Sequence, residues 1–286
     1  MVAWTHFSIP DEKDIRWLIR WWGGVMTLWI WLLAFLNAPA RHKIEIAFLN
    51  TLLIATLSTL LALALAWGQA VLIYYARRRS PLWAQVTDTL FSAWRSLPQI
   101  LGILFGYVFI AYRQSAGDMP AVLVLILLAL IAALVIFPEI GDMLLERIDY
   151  FRKSDFFNAM RVAGIPDSRI INYDILYKNS PVHILNKCIA VFAMTFFLLI
   201  SVDFIVSVGL ARQVNLVNMP RTLGNMLAHI DSKQDILALG QSLSRPSLWL
   251  QLPFAHLQGL ATAFLIVFSL ICLFKISQYF SERLHD

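Results

Sequence analysis

Long apolar runs, separated by short polar stretches, dominate this chain. Trp21 to Ala40 is the first. Ile46 to Ala76 is the second, 31 residues without a charge. Leu90 to Tyr112 is the third, interrupted only by Arg95. Met119 to Pro138 is the fourth. Ile184 to Leu210 is the fifth, with Lys187 near its start and Asp203 near its end, and Leu252 to Phe274 is the sixth. A helix rises about 1.5 Å per residue, so about 20 apolar residues cross a bilayer core of roughly 30 Å. Strands of a membrane barrel would instead alternate in character over about 10 residues. The pattern predicts an all-α membrane protein with six transmembrane helices. The first 20 residues are polar and hold Lys13, Arg16 and Arg20, ahead of the first run. A secretory signal would place a shorter apolar core near residue 10, followed by a small-residue cleavage site, so that reading is rejected.

Composition agrees. Of 286 residues, 59% are hydrophobic and only 14% charged, and mean hydropathy is +0.68. A soluble domain carries roughly a quarter charged residues, so a soluble globular protein, a disordered chain and a nucleic-acid-binding module are all excluded. Net charge is +5, and the placement of the cations matters more than their sum. With the N-terminus inside, inside segments hold fourteen Lys and Arg, including Arg77, Arg78, Arg79, Arg152, Lys153 and Arg161. Outside segments then hold seven, and this twofold bias puts both termini of a multi-pass chain in the cytoplasm. The Tyr74-Tyr75 pair and Trp residues near run ends are expected as interfacial anchors. Cys188 and Cys272 lie in apolar segments and imply no disulfide framework.

Two polar loops are large: about 141–181 inside and about 211–251 outside. The inner one reads Asp155-Phe-Phe-Asn-Ala-Met-Arg-Val-Ala-Gly164, then Ile-Pro-Asp. Phe156, Ala159, Met160 and Ala163 recur at helical spacing. Gly164 falls where such a helix should stop, because glycine accepts a left-handed C-cap. Pro166 and Asp167 start a second helix, with Ile170, Ile171 and Ile175 on an apolar face and Asp174 and Lys178 on a charged one. This pair either inserts into a groove on a soluble partner or rests on lipid headgroups.

The same stretch resembles the EAA loop of type I ABC-importer permeases, and more closely that of the dipeptide/oligopeptide/nickel permease family (DppC/OppC-like). Asp155, Ala159, Arg161, Gly164, Asp167, Arg169, Ile170, Ile171, Ile175, Leu176 and Pro181 fall in that family's pattern without a gap. Asn50-Thr-Leu-Leu-Ile-Ala-Thr-Leu-Ser58 is similar to its second span, Leu97-Pro98 to a Leu-Pro in its third, and Gly224-Asn-Met-Leu-Ala228 to the segment before its last. The resemblance covers about residues 45 to 283. This chain is a divergent member of the pattern: Asn158 stands where the family has Glu, Met160 where it has Ala, and Tyr177 where it has Pro. The Arg41-His-Lys-Ile-Glu45 segment also lacks the family's Gly-Thr-Asp…Gly-Arg-Asp pattern.

The resemblance implies a MetI-like permease fold, with an amphipathic segment and first helix over 1–44 and the ABC permease domain over 45–286. It implies a subunit that forms the pathway of an ATP-driven importer, for peptides or a similar small solute. Partners would be a second homologous permease, two ABC ATPase subunits, an extracytoplasmic solute-binding protein and membrane lipid, with no nucleic acid. Asp155, Asn158, Ala159, Met160, Arg161, Gly164, Asp167, Ile175 and Leu176 would couple to the ATPase. The chain would be no enzyme and carry no cofactor; ATP and Mg would sit on the partner subunits. An ATP-independent secondary transporter or channel is the alternative, but paired acids, broken helices or internal symmetry are not evident.

Motifs for other chemistry are missing. No Lys follows a Gly, so there is no phosphate-binding loop, and no His-Glu-x-x-His occurs. The six His are scattered, and no metal site is expected. A few polar groups fall inside the apolar runs, where ionised groups cost roughly 2.5–3.5 kcal/mol on insertion scales. Asp88 and Arg95, seven apart, share a helix face. Arg95 pairs with Glu139 or a partner-subunit acid, lines the pathway, or sits near an interface. Asp203, with Ser207 one turn on, either bonds a neighbouring helix or lines the pathway; His256 is a further cavity candidate.

Overall fold

Prolines and caps, more than charges, decide where these helices begin and end. The structure, a computed structural model, describes residues 12–117, 119–209, 219–228, 240–250 and 258–282. Among them there is no strand. Helix α1 (Glu12–Phe35) stops before its apolar run does, because Asn37 caps the next helix. The Asn37 Oδ1 accepts the Ala40 N–H at 3.3 Å, and Pro39 sits in that helix's first turn. Helix α2 (Ala38–Arg79) spans 42 residues, roughly 63 Å, about twice a hydrocarbon core.

The third run does not form one straight span. It divides into α3 (Pro81–Arg95) and α4 (Gln99–Ala116), whose axes bend by 77°. Pro98 has no N–H and disfavours a helical Leu97, so the ladder breaks at that step. The fourth run fails in the opposite sense. Helix α5 (Ala121–Arg152) runs straight through Pro138. A proline there strips the Leu134 carbonyl of its usual donor. Trp94 Nε1 from α3 donates to that carbonyl at 2.9 Å, so the gap is filled from another helix.

This arrangement predicts a thermodynamic cycle. Trp94→Phe should lower stability by about 1 kcal/mol, the net worth of a hydrogen bond whose acceptor is then orphaned. In a Pro138→Ala background the backbone N–H returns to Leu134, and the same substitution should cost little. Thermal unfolding midpoints of the four proteins check it; equal losses in both backgrounds would contradict it.

Helix α8 (Pro181–Gly209), a short α9 (Leu223–Ala228), a 3₁₀ turn (Pro246–Leu250) and α10 (Gln258–Glu282) follow. Among the described residues five helices, α1, α2, α5, α8 and α10, are long and apolar enough to cross a membrane, and a sixth is reached if the bent α3–α4 pair is one span. The described residues are thus all-helical in architecture, and their apolar helices are consistent with a multi-pass membrane protein.

Helices α2 and α5 form the spine. Buried Ala47, Ala55, Ala62, Ala66 and Ala70 run down one face of α2, with Thr51, Ser58 and Thr59 between them. Small residues let two backbones approach closely where lipid offers no hydrophobic gain. The hydroxyls of Thr51 and Thr59 return to their own helix, donating to Ala47 and Ala55 carbonyls at 2.8 Å. Helix α1 packs chiefly on α10, where Trp21 Nε1 donates to Ser269 Oγ at 3.1 Å.

Charges inside the runs are paired. Arg95 meets Asp142, one turn beyond the expected Glu139. Glu139 takes Lys187 at 3.0 Å instead, and Gln99 at 3.3 Å. Asp88 and Asp149 both bind Arg77, each at 3.2 Å, tying α3 and α5 to the end of α2. We call this the basic end of the bundle, after Arg77, Arg78 and Arg79.

Candidate functional site

The stretch between α5 and α8 is shorter than the expected 141–181 loop, because α5 continues to Arg152. It holds α6 (Asp155–Val162), then α7 (Asp167–Arg169), which passes directly into a π-helical segment (Ile170–Lys178). Gly164 makes the elbow. Its φ is +79°, the left-handed region that only glycine enters freely. The Gly164 N–H donates to the Arg161 carbonyl at 3.0 Å, and the Ile165 N–H to that of Met160 at 3.1 Å. These two bonds form a Schellman cap, which satisfies carbonyls that the end of α6 would leave bare. Met160 and Ile165, flanking the cap, are both partly buried against the core.

A side-chain clamp holds the elbow to α2. Asp167 is only 12% exposed. Its carboxylate accepts the Tyr74 hydroxyl at 2.8 Å, pairs with Arg78, and meets Arg161 Nε at 3.4 Å. About two turns before Tyr74 on α2, Trp67 Nε1 donates to Asn172 Oδ1 at 2.7 Å. Tyr74 is therefore a buried tie to the loop; of the Tyr74-Tyr75 pair only Tyr75 is exposed. The same contacts hold the loop along the last turns of α2, while Arg77, Arg78 and Arg79 stay exposed.

The predicted coupling residues divide into two groups. Asp155, Asn158, Ala159, Arg161 and Gly164 are exposed, Met160 is half-buried, and Asp167 is the clamp. Ile175 and Leu176 are fully buried, together with Ile170 and Ile171, so they hold the loop to the bundle and present nothing to a partner. Asp174, expected on a charged outer face, is buried too. It lies one helical turn after Ile170, so helical spacing alone puts it on the buried face. The outer face instead carries Tyr173 and Tyr177, stacked at 5.7 Å.

At the far end of the bundle a second polar cluster sits in the core. Asp203 is 2% exposed and joins three helices. It accepts the Tyr107 hydroxyl from α4 and, at 2.8 Å, the Asn225 N–H in α9. Ser207 Oγ accepts Asn225 Nδ2 at 3.1 Å, and Thr51 Oγ1 accepts the Leu223 N–H at 3.0 Å. Gly224 lets α9 lie on α8, since a Cβ there would overlap the Ile200 carbonyl oxygen. The cavity beside Asp203 measures about 10 Å³, room for one water and no solute. Of the two readings of Asp203, the structure shows the bonds to neighbouring helices, beside a space too small for a solute.

Arg95, by contrast, borders an open cleft of about 1110 Å³ at the basic end, with Asp142, Arg147 and His183 on its walls. His256 lies outside the described residues. No group of three or more metal-ligating side chains occurs among those described. Trp67, Asn172 and Tyr107 were not singled out by the sequence, and Tyr74, Arg78 and Asn225 were read there only as an interfacial anchor, an inside cation and part of the Gly224–Ala228 segment. The one available signal was polar groups recurring inside apolar runs, as at Trp67, Gln69 and Tyr107.

Comparison with known proteins gave no match: no family model, no curated protein and no solved structure aligns significantly with this chain.

Proposed function

We propose that this chain is the transmembrane permease subunit of an ATP-driven importer, a divergent relative of the dipeptide/oligopeptide/nickel permeases in a bacterial inner membrane. The carrying observation is the elbow. An exposed eight-residue helix, ended by a Schellman cap at Gly164, is clamped through Asp167 to the longest helix of the bundle. A push on α6 then reaches α2, and through the α2–α5 spine the rest of the membrane domain. A helix pair merely resting on headgroups has no need of such a clamp.

In this reading the basic end faces the cytoplasm and both termini lie there. Two soluble ATPase subunits, which carry ATP and Mg, receive Asp155, Asn158, Ala159 and Arg161. A second permease completes the pathway, and a solute-binding protein delivers a peptide-like solute to the α9 end. The cleft beside Arg95 is the inward mouth, and the Asp203 cluster is the outer seal. Nucleotide on the partners biases which end is open. The chain itself performs no catalysis. The departures from the family pattern fit this use: Asn158 and Tyr177 are both on the exposed surface, where they alter partner fit, and Met160 adds apolar bulk beside the cap. A photocrosslink from position 159 in native membranes tests the proposal, because α6 should reach a soluble ATPase.

A further inference from the structure

A cavity of about 240 Å³ lies under α6, between it and the ends of α2 and α5, lined by Tyr74, Arg78, Arg152, Phe157 and Arg161. Three arginines line this space. Arg78 and Arg161 share the single carboxylate of Asp167. Among the described residues no carboxylate lies within ion-pair distance of Arg152. Arg152 closes the last turn of α5, where a cation suits the helix dipole, but a dipole does not neutralise it. The cavity therefore holds two positive charges more than its own acid balances. Like charges gathered this way repel one another, and an anion between them reverses the sign of the interaction.

Guanidinium forks bind phosphate oxygens in bidentate fashion, and such bonds are about twice as strong as neutral ones. The excess of two charges matches a phosphoryl group, which carries about −1.5 to −2 at pH 7 as a monoester. The space exceeds a phosphate ion, yet falls below the roughly 300–1,000 Å³ of pockets for drug-sized ligands. Its place at the end of two apolar helices brings lipid headgroups within reach as well as solutes. We infer that Arg78, Arg152 and Arg161 form a phosphate-binding site, filled by free phosphate or by the phosphate of a lipid headgroup. The site rests on this geometry alone, and its test involves no ATPase, so it stands or falls separately from the transporter reading.

The test uses the full chain in detergent, as wild type, Arg152→Gln and Arg152→Lys. Arg152 makes no ion pair among the described residues, so the variants should keep the fold, with unchanged tryptophan emission as the control. One arm titrates inorganic phosphate by calorimetry. The other incubates the chain with phosphatidylglycerol or phosphatidylcholine vesicles and measures phospholipid retained after repurification. A free-phosphate site predicts about tenfold weaker phosphate binding in Arg152→Gln, the loss expected for one charge-assisted bond. A headgroup site predicts loss of about one tightly held phosphatidylglycerol per chain. Arg152→Lys, which keeps the charge but not the fork, should fall between, and it decides the matter if Arg152→Gln does not fold. Equal phosphate affinity and equal retained lipid in wild type and variants would overturn the proposal.

Discussion

Replacing Gly164 with proline is expected to melt the elbow while leaving the chain in the membrane. Proline fixes φ near −65°, far from the +79° found here. It also removes the N–H that bonds the Arg161 carbonyl. A non-glycine residue in the left-handed region costs about 1–2 kcal/mol, and the lost cap bond adds about 1 kcal/mol. Together they amount to about 2–3 kcal/mol, a factor of roughly 30–150 in the population of the opened loop. Hydrogen exchange at amides 165–178 reads that factor directly. Gly164→Ala should show a smaller effect, because only the conformational part is lost. The apolar runs that drive insertion are untouched, so yield in the membrane fraction should match wild type. Unchanged exchange in Gly164→Pro would mean that the cap does not hold the elbow.

A second large effect is expected at Asp203. Its carboxylate serves donors from α4 and α9 in a buried site. Asp203→Ala leaves the Tyr107 hydroxyl and the Asn225 N–H without their acceptor, and each orphaned buried group costs about 1–3 kcal/mol. We expect a total of about 3 kcal/mol, which lowers the unfolding midpoint by roughly 5–10 °C on the scaling for domains of this size. Asp203→Asn keeps one acceptor oxygen and should lose less. The loss should also be local at first. Crosslinks between α9 and α8 placed beside Gly224 should weaken before the α2–α5 spine yields. A midpoint equal to wild type in Asp203→Ala would show that the cluster holds nothing together.

Much of this was legible because bilayer-length apolar runs and a helix-stopping glycine are local signals. The runs marked every long helix, and Gly164 marked the elbow to the residue. What escaped depended on partners distant in sequence. Pro138 reads as a helix end until Trp94 supplies the missing donor from α3. Leu97-Pro98 lies inside an apolar run that looks continuous, yet the chain bends there by 77°. Arg95 invites a partner on α5, and helical spacing does not choose between Glu139 and Asp142, which lie one turn apart. The π-helix was hidden most completely, since nothing in the residues of 170–178 signals the wider turn, and the charge of Asp174 reads as surface although its place one turn after Ile170 buries it. Asp167 was recognised as a helix start, but its ties to Tyr74 and Arg78 span about ninety residues of sequence.

The exposed face of α6 is where the account meets a partner, and position 159 lies at its centre. A photoreactive residue in place of Ala159, irradiated in native membranes, should join the chain to a soluble nucleotide-hydrolysing protein, and the yield should drop sharply in Gly164→Pro. Adducts with lipid alone, in wild type as in the proline variant, would contradict it.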